Sequence, residues 1–251
     1  MSRAEMVERT LDDEAYFVAT RSSSRIRSLQ LAQIYPGIEH QRVEIGAIDP
    51  DTGHVNHVDM LYVCAVARHV GARRIFEFGT YLGRTTYHLA LGEGKPEVFT
   101  LDLPPQGEKP TDYKLGTAVT AVHSLKLQGV FFRGKPEASR ITQLHGDCRT
   151  FDYAPYLGSM DLVFVDGGHT YDLIASDSEW AFKLIRPGGV IIWHDYAAKS
   201  RDVVRFGQEL SMRKPLFWVT NTSLLVYING VDAMTFEAIV PEWARERIKP
   251  R

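Results

Sequence analysis

Cysteine is scarce: the 251 residues hold only two, Cys64 and Cys148. A chain of this length can bury a core without covalent staples, so a disulfide framework is excluded and a reducing, cytoplasmic setting is expected. Long apolar runs are missing, since none approaches the roughly 20 residues of a membrane-spanning helix. Met1 to Asp13 is charged and has no apolar stretch of signal-peptide length. Excess charge is missing too: 29 Lys and Arg against 31 Asp and Glu give a formal net charge of -2. That balance gives no reason to expect nucleic acid or a membrane as partner. No internal repeat or low-complexity tract is visible. What is present, 44% hydrophobic and 24% charged residues, is ordinary for a soluble globular protein. The length fits one α/β domain with an extra segment, or at most two small domains.

The first 50 or so residues show no clear strand, and Arg21-Ser-Ser-Ser-Arg25 reads as a polar break between short helices. Ile48-Asp-Pro-Asp-Thr-Gly53 is a turn cluster. It divides a helical or irregular N-terminal cap, residues 1–52, from a main domain, residues 53–251. A helix follows, with Val58, Leu61, Tyr62, Ala65, Val66 and His69 along one face. Asn56 and Asp59 resemble a capping arrangement, and Gly71 is placed to stop the helix. Buried strands are expected at Ile75–Phe78, Val98–Asp102, Ile141–His145, Leu162–Val165 and Val190–Trp193, and helices at Tyr171–Ile185 and Arg201–Met212. Leu216–Val219 and Leu224–Ile228 flank Asn221-Thr222 as a closing hairpin. Pro104 to Leu115 is a loop long enough to act as a lid, and Ala118 to Leu127 has a helical pattern. This alternation predicts an α/β, Rossmann-like doubly wound sheet, mostly parallel, with an antiparallel strand at its end.

The first strand carries the most informative stretch, Arg74-Ile-Phe-Glu-Phe-Gly-Thr-Tyr-Leu-Gly-Arg-Thr-Thr86. Strand, glycine turn and helix open a nucleotide-binding unit. A dinucleotide site needs glycine where this chain has Glu77, and the spacing here is Gly79-x-x-x-Gly83. A carboxylate at that point disfavours a diphosphate and suits a nucleoside ligand carrying positive charge. In such sheets ligands bind outside the carboxyl ends of the strands. Glu77, Gly79, Asp102, Asp147, Asp166, His169, His194 and Asp195 all fall at such ends. Unrelated surface carboxylates are not expected to gather at one end of five strands.

With these pieces the chain resembles the class I S-adenosylmethionine-dependent methyltransferases over about Gly53 to Ile228. The resemblance is carried by Phe76-Glu-Phe-Gly-Thr-Tyr-Leu-Gly83, Leu101-Asp102, Gly146-Asp147, Phe164-Val-Asp-Gly-Gly-His169, Leu184-Ile-Arg-Pro-Gly-Gly-Val190 and Trp193-His-Asp-Tyr196. Within that class, Asp-Gly-Gly-His and His-Asp-Tyr look like the metal-dependent small-molecule O-methyltransferases, those of macrolide and sugar natural products above all. The resemblance implies a sheet of about seven strands with the last antiparallel. It also implies S-adenosylmethionine as cofactor, a divalent metal, and a small hydroxylated acceptor as substrate. Glu77, Gly79, Thr80 and Gly83 would then line the methionine end of the cofactor. Asp102 would accept from the ribose hydroxyls, and Asp147 with the Cys148 backbone would meet the adenine. Asp147 as a turn residue capping the next helix is the plain alternative.

On the acceptor side, the metal ligands read from the resemblance are Asp166, His194 and Asp195. His194 stands where related enzymes commonly have a carboxylate. It is therefore read two ways, as a ligand of a transition metal such as Mn²⁺ or as a hydrogen-bonded structural imidazole beside Mg²⁺. His169 is the expected general base, with Asp166 beside it, because an unperturbed imidazole titrates near neutrality; its alternative is a helix-start histidine bonded to a loop carbonyl. His145 reads as a strand residue, His54 and His57 as neighbours of the mouth, His123 as solvated, and Asp177 as bonded to nearby backbone. Two rival functions stand beside methyl transfer: a non-catalytic binding or assembly protein on the same fold, and a nicotinamide-dependent oxidoreductase. An N-terminal segment of this length often packs on a second copy of the chain, which leaves a homo-oligomer as an open expectation.

Overall fold

A computed structural model describes residues 3–46, 55–105, 120, 122 and 126–231. The 52/53 boundary, most of the Pro104–Leu115 loop, much of the Ala118–Leu127 pattern, His54, His123 and the tail after 231 lie outside the described residues. The helices are α1 (Arg3–Ser23), α2 (Leu31–Ile34), α3 (His57–His69), α4 (Arg84–Ala90), α5 (Tyr171–Leu184) and α6 (Arg201–Ser211). The strands are β1 (Arg27–Leu29), β2 (Arg74–Phe78), β3 (Glu97–Asp102), β4 (Ile141–His145), β5 (Met160–Val165), β6 (Ile185–Trp193), β7 (Phe217–Val219) and β8 (Leu225–Ile228). They form one eight-stranded sheet in the order β1-β7-β8-β6-β5-β2-β3-β4. All pairings are parallel except those of β8 with β6 and β7.

Side-chain alternation along the strands sorts the core into two layers. Ile75, Val98, Leu162, Phe164, Val190 and Ile192 face α3. Phe76, Phe78, Leu101, Val163, Ile191 and Trp193 face α5 and α6. All six residues of β5 are buried, as expected of a parallel strand covered on both faces. Burial of each large side chain here contributes on the order of 1.5–3 kcal/mol.

Three features depart from the sequence reading. The expected seven strands become eight, because β1 pairs with β7 inside the segment that showed no strand. It has only three residues, too few for a period to show, and its partner lies at the far end of the chain. The break expected at Arg21–Arg25 falls at the end of a single 21-residue helix. The buried face of α3 is also turned: it carries Asp59, Met60, Val63, Cys64, Val66 and Ala67, and Val58 is exposed. Apolar residues occur on most of this helix, and a carboxylate in the buried stripe hid it. Its cap is as read, with the Asn56 side chain accepting from the Asp59 N–H at 2.9 Å.

The strand starts are tied by Asp161. Its Oδ2 accepts from the backbone N–H groups of Arg73 and Arg74 at 2.7 and 2.8 Å, and Oδ1 pairs with Arg186. Burial works against the charged form, but Arg186 and the two N–H groups outweigh it and hold the carboxyl below its usual range. Asp161→Ala strands those donors and is expected to cost about 2 kcal/mol, a melting-point loss of roughly 4–8 °C. A thermal melt at neutral pH checks this, and an unchanged midpoint would refute the clamp.

Candidate active site

The β2–α4 turn is shaped by two glycines in the left-handed region. Gly79 has φ +91°, and a Cβ there would overlap the Asp166 carbonyl oxygen. Gly83 has φ +81°, and a Cβ there would meet the Phe132 ring. No side chain fits at Gly79, so the turn after β2 lies directly against the loop after β5. Asp102, at the tip of β3, accepts at Oδ2 from Thr80 N–H (3.3 Å) and Tyr81 N–H (3.0 Å), and at Oδ1 from Leu103 N–H (2.8 Å).

Glu77 points into the α3 and α4 side of the sheet and is 2% exposed. Its Oε2 accepts from the Thr86 hydroxyl and from Thr100 Oγ1 at 2.7 Å, and Thr100 meets Thr80 Oγ1 at 2.8 Å. Burial pushes its carboxyl up to about 8; the threonine hydroxyls oppose that, and Asp166 and Asp102 add to it. The sequence reading treated Glu77 as a standing negative charge, whereas these surroundings favour its neutral form.

At the tip of β4, Asp147 accepts from Arg149 N–H at 2.9 Å and pairs with its guanidinium at 2.8 Å. Cys148 is a free thiol whose carbonyl accepts from Tyr153 OH at 2.8 Å. Asp177, 1% exposed on α5, meets the Cys148 side chain, and burial pushes its carboxyl up to about 7. Its partner is thus a side chain and not the neighbouring backbone expected for it.

Asp166, His169, His194 and Asp195 meet where β5 and β6 end side by side. His194 Nδ1 donates to Asp166 Oδ1 at 2.9 Å and lies 3.6 Å from Asp195 Oδ2. Its Nε2 faces Asp59 Oδ2 at 3.3 Å, an ion pair without good hydrogen-bond direction. Burial disfavours the imidazolium, but Asp166, Asp59 and Asp195 outweigh it and push its pKa up to about 10. His169 Nε2 lies 2.6 Å from Asp195 Oδ2, and that bond, stronger than the opposing burial, raises its pKa. Asp195 sits at φ +60°, a region Asp tolerates better than most residues, and its carboxyl is depressed: burial opposes this, and His169, His194 and Lys199 prevail.

Ligand atoms of Asp166, His169 and Asp195 lie within 4.8 Å of one another. The two carboxylates suit a divalent ion, and His169, rather than His194, stands with them in this group. His194 is the deeper residue, its side chain 9% exposed against 55% for His169. A cleft opens on His169 and Asp195 between α1, which gives Arg9 and Asp13, and the turn leading into α6 with its first residue, which give Lys199 and Arg201. Arg201 pairs with Asp12 and Asp13 and so ties α1 to this rim. The sequence reading missed Asp59 and the α1 rim. Asp59 was visible only as a helix-cap neighbour, and nothing local marked α1.

Glu77 makes stability depend on pH. Between its unfolded value near 4.5 and its folded value of about 8, the native state holds a proton that the unfolded state has lost. Stability therefore falls as pH rises through that window. Glu77→Gln is expected to flatten this slope, so that its stability relative to wild type improves from pH 6 to pH 9. Denaturant titrations at both pH values check it; parallel pH dependences would contradict the burial argument.

Comparison with known proteins adds three findings. Residues 76–196 match a family described as a methyltransferase domain. A catechol O-methyltransferase of Mycobacterium tuberculosis is 32% identical over 134 residues, covering 52% of this chain and 51% of that protein. The chain therefore spans about half the length of the curated relative it matches. Among solved structures, cofactor-bound Rv0187 from MTB aligns with a TM-score of 0.51 at 20% identity, covering 72% of this chain and 84% of that one. A putative caffeoyl-CoA O-methyltransferase from Staphylococcus aureus aligns with a TM-score of 0.51 at 13% identity, covering 71% and 86%. At such identities these two structures speak for the fold alone. Residues 76–196 thus match a methyltransferase domain, and the chain resembles the class I S-adenosylmethionine-dependent methyltransferases, the small-molecule O-methyltransferases among them.

Proposed function

We propose that this protein transfers a methyl group from S-adenosylmethionine to a hydroxyl of a small or sugar-containing molecule, with help from a divalent cation. The observation that carries the reading is the convergence of Asp166, His169 and Asp195 at the ends of β5 and β6, against the glycine turn of β2.

Asp102 is placed to take the ribose hydroxyls, exchanging its bonds to the Thr80 and Tyr81 N–H groups in part for them. The β2–α4 backbone at Gly79 and Thr80 holds the methionine end, with Glu77 beneath it. S-adenosylmethionine supplies an activated methyl: its C–S bond breaks with the electron pair going to sulfur as the acceptor oxygen forms the new C–O bond. Asp166 and Asp195 are the carboxylates that would hold Mg²⁺ or Mn²⁺, and such an ion would make the acceptor hydroxyl more acidic. His169 donates from Nε2 to Asp195, which leaves Nδ1 to take the proton of the acceptor hydroxyl. Asp195 then faces the imidazolium so formed and stabilises it. The α1 rim and Lys199 wall the approach to this point.

The test uses the purified protein, S-adenosylmethionine and a panel of hydroxylated acceptors, with and without chelator. His169→Ala is expected to lower kcat by roughly 10²–10⁴-fold and leave the Kd for S-adenosylmethionine unchanged. Asp102→Ala is expected to weaken cofactor binding in calorimetry. Turnover insensitive to chelator would remove the metal and keep the transferase; no heat on adding the cofactor would sink the reading.

A further inference from the structure

Asp59 lies outside the segment that carries the methyltransferase domain, on the first turn of α3. Its N–H is satisfied by the Asn56 cap, and the cap needs nothing of its carboxylate. A first-turn carboxylate usually sits in solvent near the helix N-terminus, where it gains from the dipole. This one is 0% exposed. Taking a carboxylate out of water costs several kcal/mol unless a cation or hydrogen bonds offset it. Its Oδ2 accepts from Ser223 Oγ (2.6 Å) and Ser223 N–H (3.2 Å) and faces His194 Nε2 at 3.3 Å. Its Oδ1 has no hydrogen-bond partner among the described residues. Among the described residues the cationic group paired with it is His194, which in turn donates from its other nitrogen to Asp166.

We propose that Asp59 is a positioning residue of the acceptor site: it fixes the His194 ring, and the ring fixes the Asp166 carboxylate. Buried as it is, Asp59 meets no ligand and acts only through His194. The β7–β8 turn holds it from the other side through Ser223, so one carboxylate joins α3, the end of β6 and that turn. The chain Asp59–His194–Asp166 has the form in which an outer carboxylate orients an imidazole and the imidazole orients the group that binds. The proposal rests on the reading that Asp166 and Asp195 hold a divalent cation, and not on the identity of the acceptor.

The experiment titrates the metal-stripped, full-length protein with Mn²⁺ alone, following free Mn²⁺ by electron paramagnetic resonance. A parallel calorimetric titration uses S-adenosylmethionine. Wild type is expected to bind Mn²⁺ and Asp166→Asn to lose it. Asp59→Asn is expected to weaken Mn²⁺ binding by roughly 10–100-fold and to leave cofactor affinity unchanged, a split that general loosening of the fold would not give. In an Asp59→Asn, His194→Gln double variant the two losses are expected not to add. Should Asp59→Asn not fold, Ser223→Ala removes one donor from the same carboxylate and is expected to weaken Mn²⁺ by roughly threefold to fivefold. Wild-type Mn²⁺ affinity in the Asp59 or Ser223 variant, or additive losses in the double variant, overturns the role of Asp59. A wild type that binds no Mn²⁺ overturns the cation reading itself, and this proposal with it.

Discussion

Three carboxylates gathered around one imidazole set the terms for the rest of the molecule. Asp59, Asp166 and Asp195 all lie within 3.6 Å of His194 nitrogens. Like charges this close repel, and the repulsion grows as water is excluded. His194 between them offsets that repulsion and favours the charged forms of Asp59 and Asp195. Its pKa rises because of them, and the depressed values of Asp59 and Asp195 are the same interaction seen from the other side. The fold must therefore deliver a helix, two strand ends and a turn to one point. The parallel order of β2, β5 and β6 does so, with α3 packed on one face.

The tips of β2 and β3 follow a different rule. There the acid is kept neutral by burial among hydroxyls, as with Glu77 between Thr86 and Thr100, or is engaged by backbone N–H groups, as with Asp102. The two regions touch at Gly79, where the absence of a side chain lets one turn rest on the other. Any side chain there would push the β2 turn away from Asp166 and part the two clusters of acids.

Much of this was legible in the chain. The runs at Leu162–Val165 and Val190–Trp193 are continuous because each strand is covered on both faces, and the polar residue closing each run marks its tip; Ile75–Phe78 is interrupted by the buried Glu77 and closed by Gly79. The antiparallel closing hairpin was legible for a similar local reason, two apolar runs flanking a turn. The face of α3 was not, because Asp59 looks polar in the sequence and is buried by a histidine far away along the chain. His169 was read as the base beside Asp166, while His194 stayed open between metal ligand and structural imidazole. His194 adjoins Asp195 in sequence, yet its ring turns inward to Asp59 and Asp166, and Asp195 Oδ2 lies closer to His169, at 2.6 Å against 3.6 Å.

Taken alone, the sequence determined the alternation of strands and helices, the glycine turn, and the set of acids and imidazoles at the strand tips. Those are properties of short windows, governed by hydrophobic period and backbone freedom. The tertiary structure decided the pairing: β1 with β7, α1 with the cleft rim, Asp59 with His194, and His169 with Asp195. Pairing depends on which distant groups the packed sheet brings within a few ångströms, and no local pattern encodes the partner of a buried charge.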